Sequence, residues 1–381
     1  MSAFGAPVIV AARRTPIGTA GQTLSRVEAA ELAAPVVAEV AREAREALGG
    51  AAVSEVVLGN CMGPGGNVAR VATLLAGVGD GVPASTVDRQ CASGLSAVAT
   101  AVGELRARPG LVLAGGVESA STAPWRSRRP VDGGEPQRYE RAPFAPADRD
   151  PEMGLANDVW AERAGITRAE QDAYAARSHA RAYAGREGGR FDAELVPVAG
   201  VTRDERPRAG MTTARLARLP AAFREGGAVT AGNSCGINDG AAVVAVADAG
   251  SAREAVGLRV LSTAVSAGDP TNPGQALVPA STDALCRAGL GWDDVDVVEL
   301  NEAFAGQILA CCSELGIDDA RVCPEGGALG LGHPWGASGA VLVVRLFSQL
   351  VRSGRGGTGL AAIAAGGGQG VAVVVEAVGV A

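Results

Sequence analysis

The sequence predicts a layered α/β fold that contains the same unit twice. Short runs of β-branched residues alternate with stretches rich in alanine and leucine, which is typical of buried strands connected by helices. The segment VSEVVLGN, ending at Asn60, is similar to DVDVVELN, ending at Asn301. Ala92-Ser93-Gly94 and Ala337-Ser338-Gly339 each open an apolar helical stretch, and LVLAGGVES is similar to AAIAAGGGQG. Three similarities in the same order indicate a duplicated α/β unit.

The order of elements in the first unit follows from the same alternation. The pattern predicts strands at 8–11, 53–59, near 87 and at 111–115, and helices at 26–48, 70–76 and 91–107. Proline and arginine clusters from about 119 to 236 indicate an excursion, in which Thr167 and Glu170 form a capping box before a long helix. A run at 241–249 is expected to return to the first sheet. We therefore assign 1–118 plus 237–257 to an N-terminal unit, 119–236 to an inserted domain and 258–381 to a C-terminal unit.

The charge composition excludes several classes of function. The 381 residues include 34 basic and 41 acidic side chains, for a net charge of −7, so no positive excess is available to bind nucleic acid. The chain contains no lysine, and every basic residue counted here is therefore an arginine. This absence excludes lysine Schiff bases, pyridoxal-phosphate enzymes and the Walker A loop.

The cysteines and the apolar segments indicate where the protein works. Seven cysteines, an odd number without any C-x-x-C pair, are expected to be reduced thiols. The N-terminus has no charged leader, and apolar stretches of roughly 18 uncharged residues are missing outside the glycine-broken C-terminus. We therefore expect a cytoplasmic protein that does not bind a membrane. No metal-ligand spacing is present, and we expect no metal site.

Only two histidines are present, and one of them lies in a segment suited to catalysis. His333 belongs to GGALGLGHPWGASGA, in which glycines permit tight turns and close approach of a ligand. The alternative is a turn histidine packed by glycine. His179 lies in the charged helical stretch RSHARAYA and is expected to be solvated.

Cys91 and Asn301 are the other candidates for chemistry. Cys91 precedes a long helix, and the amides and dipole at a helix N-terminus can lower the pKa of a cysteine. Its alternative is a small core residue. Asn301 follows an apolar strand, where α/β proteins place ligand contacts, although it also suits an ordinary helix cap.

A hydrolase offers a competing interpretation. Gly232-Asn233-Ser234-Cys235-Gly236 fits the G-x-S-x-G nucleophile motif, with Asp239 and then His333 downstream. The segment NDGAA that follows favours a turn and strand instead of the helix that this motif requires, and Asp239 lies too close to Ser234 in sequence.

Taken together, these segments resemble the thiolase family, whose members make or cleave β-ketoacyl-CoA. The similarity covers nearly the whole chain and rests on VIVAARRTPIG, QCASGL, AGGVESAS, EMGLANDVWAERAGITRAEQDAYAARSH, FREGGAVTAGNSCGINDGAA, NEAFA, GGALGLGHPWGASG and GGGQG. The resemblance implies a thiolase fold, with a duplicated five-layered α-β-α-β-α core and an inserted loop domain that covers bound CoA. It also implies a homodimer or homotetramer, an acyl-CoA substrate and no permanently bound cofactor. A partner protein that supplies CoA contacts or channels the product stays open.

The resemblance implies a role for each site residue. Cys91 takes the acyl group as a thioester and His333 removes its proton. Asn301 fixes a water that forms one oxyanion hole with His333, and the amides of Cys91 and Gly366 form the second. Four positions match those along the pantetheine and nucleotide of CoA: Met153, Arg208, Cys235 and Phe304.

One position departs from the family. Thiolases carry a second cysteine two residues before the GGG run, which moves the proton at the α-carbon, and Ala364 stands there in this chain. Four explanations stay open: Cys235 takes over the proton transfer, the acyl group passes to a heteroatom acceptor or condenses decarboxylatively, the chain is a non-catalytic paralogue, or the alanine was engineered to disarm a thiolase. Glu152 also replaces a histidine common in the family, which indicates a different acceptor.

Overall fold

The computed structural model describes residues 5–139 and 141–380. Residues 1–4, which belong to the N-terminal segment expected to have no charged leader, therefore lie outside the described residues. The strands are β1 (Val8–Arg14), β2 (Gly18–Thr19), β3 (Glu55–Gly59), β4 (Ala84–Val87), β5 (Leu111–Ser119), β6 (Arg126–Arg128), β7 (Gln137–Tyr139), β8 (Asn238–Ala247), β9 (Gly257–Ala267), β10 (Val297–Leu300), β11 (Thr358–Ala365) and β12 (Gln369–Val378). The α-helices are α1 (Ala29–Ala47), α2 (Val68–Leu75), α3 (Ser93–Leu105), α4 (Met153–Arg163), α5 (Arg168–Glu187), α6 (Thr213–Leu216), α7 (Leu277–Ala288), α8 (Ala305–Leu315), α9 (Ala328–Leu331) and α10 (Trp335–Phe347).

The sheet confirms the duplication. The N-terminal strands follow the order β1-β8-β5-β3-β4, and the C-terminal strands follow β9-β12-β11-β10. In each half the first two pairings are antiparallel, and the next is parallel. A short antiparallel pairing of β1 with β9 joins the halves, and β2 pairs with β8, giving one ten-stranded sheet.

Five layers are stacked in the molecule, as the sequence predicts. Helices α1 and α2 pack on the outside of the N-terminal strands, and α7 packs on the outside of the C-terminal strands. Helices α3 and α10 contact each other and strands of both halves, so they form the central layer. The contact is so close that a Cβ on Gly116 of β5 would lie 2.0 Å from the carbonyl oxygen of Gly336. The ends of α3 and α10 are therefore held rigidly against the strands.

The inserted segment contributes helices that pack on the C-terminal half. Helix α5 begins with the predicted capping box, in which Thr167 accepts a hydrogen bond from the Glu170 amide and the Glu170 carboxylate accepts one from the Thr167 amide. Helices α4 and α5 contact α8, and α5 also contacts α9. The chain then returns through β8 as expected, between β1 and β5. The boundaries of the three predicted units stay predictions.

No helix in the described ranges is long and apolar enough to cross a bilayer.

Candidate active site

Cys91 opens onto a small, mostly apolar cavity at the start of α3. Gln90 has a left-handed φ of 47°, and the chain turns sharply there before the helix. The amides of Ala92 and Ser93 close this turn by donating to the carbonyls of Arg89 and Gln90. The cavity has a volume of about 30 Å³, and its lining is Cys91, Met153, Asn157, Trp160, Asn272, Pro273, Gly274, Ala303, Phe304, Gln307 and Ala364. Four positions singled out in the sequence, Cys91, Met153, Phe304 and Ala364, therefore lie at one site.

The expectation of a stabilised thiolate is wrong for this structure. Burial, with smaller contributions from the neighbouring Cys235 and Glu118, raises the pKa of Cys91 to about 12. A backbone hydrogen bond at Cys91 acts in the opposite direction and lowers the pKa, but it does not outweigh burial. Cys91 is therefore a neutral thiol at pH 7.

His333 is a buried and neutral imidazole held from two sides. Its Nδ1 lies 2.6 Å from the hydroxyl of Ser338, which is in the first turn of α10. The His333 amide donates to Oδ1 of Asn238 at 2.9 Å. Burial lowers the pKa of His333 to about 4. The ring is therefore neutral at pH 7, with one ring nitrogen free to accept a proton.

Asn301 lies where β10 ends, and its surroundings link it to His333. Its amide donates to the carbonyl of Ala362 at 3.0 Å. Asn301 lines a second small cavity that it shares with Glu299 and with Ser338, the partner of His333. It is not the cap of α8, because Phe304 occupies that position.

Gly366 follows β11, and the ring of Phe144 lies against it. A Cβ at this position would lie 2.4 Å from Cδ2 of Phe144, so the packing requires glycine. Gly366 is not among the residues that line the Cys91 cavity.

The proposed CoA-contacting residues fall into two groups. Met153 begins α4. Glu152 caps this helix, because its carboxylate accepts a hydrogen bond from the Leu155 backbone amide at 3.0 Å. The ring of Phe304 makes an edge-to-face contact with Phe223, with centroids 6.1 Å apart. Both of these predicted residues line the cavity, whereas Arg208 is exposed and outside its lining.

Cys235 lies beside the cavity without lining it. Its amide donates to the carbonyl of Ala303, a lining residue, at 2.9 Å. Burial raises the pKa of Cys235 to about 12, although the Arg206 guanidinium acts in the opposite direction. Cys235 is also one of the groups that raise the pKa of Cys91.

The hydrolase interpretation is wrong. Ser234 donates its hydroxyl proton to the Thr230 carbonyl at 2.7 Å, and Asp239 accepts hydrogen bonds from the amide and hydroxyl of Ser121. The strand β8, instead of a helix, follows Ser234. The serine and the carboxylate are therefore occupied elsewhere.

The expectation for His179 is also wrong. This ring is fully buried, with its Nε2 3.2 Å from the carbonyl oxygen of Gly232, because α5 packs its apolar face on α8 and α9.

Sequence reasoning missed part of the site. The sequence identifies Ser338 only as part of a helix opening. Its spacing of five residues from His333, across a turn, indicates that the two side chains can lie close together. Asn157 follows Met153 by four residues on α4, so both lie on one helix face. Gln307 comes from α8, and nothing local indicated that these helices meet. Among the described residues no group of three or more histidine, cysteine or acidic side chains could hold a metal ion.

Comparison with known proteins places this architecture in one family. The family model for the thiolase N-terminal domain matches residues 7–250, and the model for the C-terminal domain matches residues 255–377. The chain is 41% identical to an acetyl-CoA acetyltransferase of Pseudomonas aeruginosa and 41% identical to one of Thiocystis violacea, in each case over 97% of this chain and 98% of the relative. The crystal structure of the Bacillus anthracis acetyl-CoA acetyltransferase is similar with a TM-score of 0.89 and 36% identity, over 99% of this chain and all of that one. The chain belongs to the thiolase family of acyltransferases, as its sequence predicts.

Proposed function

We propose that this protein takes an acyl group from a short acyl-CoA onto Cys91 and passes it to an acceptor. The observation that carries the proposal is the cavity itself. It places the Cys91 thiol at a helix start among the apolar side chains of Met153 and Phe304. Such a mostly apolar setting suits a thioester. The relatives named acetyl-CoA acetyltransferases support an acetyl or similarly small acyl group.

His333 is the base in this proposal. When Nδ1 of its ring donates to Ser338, Nε2 is the unprotonated nitrogen that takes the proton of the Cys91 thiol. The sulfur then forms a bond to the thioester carbon as the bond from that carbon to the CoA sulfur breaks. The imidazolium returns the proton to the leaving CoA thiolate. Because Cys91 and His333 are both neutral before the reaction, proton transfer between them depends on bound substrate.

Charge that develops on the thioester oxygen needs hydrogen-bond donors. We assign this stabilisation to a water fixed by the side chain of Asn301, acting together with His333, and to the backbone amides of Cys91 and Gly366. Loss of one such donor typically costs about 3 to 4 kcal/mol of barrier.

The identity of the acceptor depends on Ala364. Its methyl group borders the cavity beside Cys91 and cannot carry a proton. Acyl transfer to an oxygen, nitrogen or sulfur acceptor, or decarboxylative condensation, needs no removal of a carbon-bound proton. Carbon–carbon condensation needs another acid or base, for which Cys235 is the candidate because its backbone amide bonds to Ala303, which lines the same cavity as Cys91.

The remaining contacts follow the family. We propose that Met153, Phe304 and Cys235 lie along the pantetheine, that Arg208 meets the nucleotide at the exposed surface, and that the inserted domain covers CoA. A homodimer or homotetramer and a cytoplasmic location complete the proposal.

Intact-protein mass spectrometry after mixing with acetyl-CoA tests the central step. We expect one acetyl adduct, mapped to Cys91, that is absent from a Cys91→Ala variant and retained in a Cys286→Ala variant, since Cys286 is an exposed thiol far from the cavity lining. Addition of a second acetyl-CoA then shows whether acetoacetyl-CoA forms. An adduct without this product favours a heteroatom or decarboxylative acceptor. The absence of an adduct from every acyl-CoA would refute the proposal and favour a non-catalytic paralogue.

A further inference from the structure

Two buried amide side chains border the cavity at Cys91 without hydrogen-bond partners. Asn157 of α4 is 6% exposed, and Gln307 of α8 is 3% exposed. Both side-chain polar atoms of Asn157 and the Oε1 atom of Gln307 are buried and have no partner among the described protein atoms. Both residues belong to the lining that contains Cys91. The lining of the cavity at Cys91 therefore includes two side chains that carry unpaired polar atoms.

Such atoms indicate what the cavity is built to hold. Buried polar side-chain atoms are paired in the large majority of cases, and leaving one unpaired costs free energy. An alkyl chain placed against these amides would leave three polar atoms desolvated and unpaired. A ligand with a hydrogen-bonding group would satisfy them.

The residues that line the cavity limit which hydrogen-bonding group a ligand can place there. Arginine, histidine, aspartate and glutamate are absent from the described lining residues, so nothing there compensates a charged ligand group. Oδ1 of Asn157 and Oε1 of Gln307 need donors, and Nδ2 of Asn157 needs an acceptor. A hydroxyl donates one hydrogen bond, which pairs one of the two amide oxygens, and accepts another from Nδ2 of Asn157, whereas a keto oxygen only accepts. The volume of about 30 Å³ limits the chain to a few atoms beyond the thioester.

We propose that the acyl group taken up by Cys91 carries a hydroxyl a few bonds from the thioester carbon, and that Asn157 and Gln307 select it by hydrogen bonding. This inference rests on the proposed acyl transfer from CoA and names its substrate class, a short hydroxyacyl-CoA. The hydroxyl does not react. The acyl carbon exchanges its bond to the CoA sulfur for a bond to the Cys91 sulfur, and the Cys91 thiol proton passes through His333 to the released CoA thiolate.

Matched pairs of thioesters test the inference on the unaltered protein. The rate of acyl-Cys91 formation is measured by intact mass for 3-hydroxypropionyl-CoA against propionyl-CoA, and for 3-hydroxybutyryl-CoA against butyryl-CoA. At equal subsaturating concentrations we expect the hydroxyacyl member of at least one pair to react at least about tenfold faster, since sites built to bind a hydroxyl reject the analogue without it. Equal rates within both pairs would mean that water pairs the amides, and would overturn the inference while leaving the proposed acyl transfer intact.

Variants show whether these two residues set the preference. Asn157→Leu and Gln307→Met remove the amides at similar volume, and each is expected to bring the ratio within a pair towards one. Gln171→Met is the matched control, because Gln171 is equally buried with an unpaired amide but is not a lining residue. The control is expected to keep the ratio. A ratio that both lining variants leave unchanged would overturn the assignment, and no adduct from any of the four thioesters would refute the proposed acyl transfer and this inference with it.

Discussion

A thiol at position 364 is expected to restore carbon–carbon chemistry without changing acyl-enzyme formation. Ala364 is partly buried at the end of β11 and lines the cavity together with Cys91. The substitution Ala364→Cys adds one sulfur atom, which is little larger than a water molecule, and the cavity of about 30 Å³ has room for it. Positioned general acid–base catalysis contributes about 10² to 10⁴ in rate, or roughly 3 to 5 kcal/mol of barrier. We therefore expect acetoacetyl-CoA thiolysis to rise by at least about 100-fold.

The assay follows the ultraviolet enolate absorbance of acetoacetyl-CoA in the presence of free CoA, with acylation of Cys91 measured in parallel by mass. Ala365→Cys is the control, because the neighbouring side chain packs into the central core and places the same thiol on the opposite face of β11. An Ala364→Cys variant that forms the acyl-enzyme normally yet gains no thiolysis would refute the reasoning. That result would mean that Ala364 does not limit carbon–carbon chemistry and that another group, with Cys235 as the first candidate, already moves the proton.

Three further predictions concern titration and positioning. Because burial raises the pKa of Cys91 to about 12, its alkylation by iodoacetamide, followed by peptide mapping, should still increase about tenfold per pH unit at pH 9, and a plateau below pH 8 would contradict this. Ser338→Ala removes the hydroxyl that lies 2.6 Å from Nδ1 of His333 and should slow acylation of Cys91 by about tenfold or more. Ser338→Thr keeps a hydroxyl and should recover part of the rate. An unchanged rate in Ser338→Ala would exclude positioning of His333 by this hydroxyl. Burial raises the pKa of Glu299 from 4.5 to about 7, so the unfolded chain ionises first and the native state should lose about 3 kcal/mol between pH 4.5 and 7. Denaturant titrations should show this loss and its absence in Glu299→Gln, and an equal slope in both proteins would exclude Glu299 as its source.

The repeated unit could be predicted because its signals are local. Apolar runs that end in Asn60 and Asn301 define two strands, and the capping box at Thr167 defines the start of a helix without reference to the rest of the chain. Cys91 and His333 were also accessible, since each lies immediately before a long helix in a distinctive segment.

What the sequence did not predict depends on packing between distant elements. The pKa of Cys91 is raised because the strands and the inserted segment bury the thiol, which outweighs the local effect of the helix N-terminus. His179 is buried because α5 lies on α8 and α9, although its own sequence neighbours are charged. Asn157 and Gln307 line the same cavity because α4 packs on α8. No local pattern contains this information.

The two halves of the molecule explain why a duplicated unit forms one candidate active site. Strand pairing aligns Gly59 with Gly116 in the first half and Leu300 with Ala362 in the second, and each first member directly precedes the asparagine that ends its strand. Two residues further along, Glu118 is therefore the counterpart of Ala364. The matching helix openings likewise make Gly336 the counterpart of Cys91.

The residues at these equivalent positions differ in chemistry between the two halves. The Glu118 carboxylate accepts hydrogen bonds from the Gly336 amide at 3.1 Å and from the amides of Cys61 and Met62, and the side chain is fully buried. At the equivalent place in the other half, the methyl group of Ala364 leaves a cavity in front of the Cys91 thiol. A carboxylate that fills one strand end leaves no room for substrate there, and glycine supplies no nucleophile. The first copy therefore stabilises the start of α10, which carries the partner of His333, while the second copy keeps a cavity at Cys91, where we propose that acyl transfer takes place.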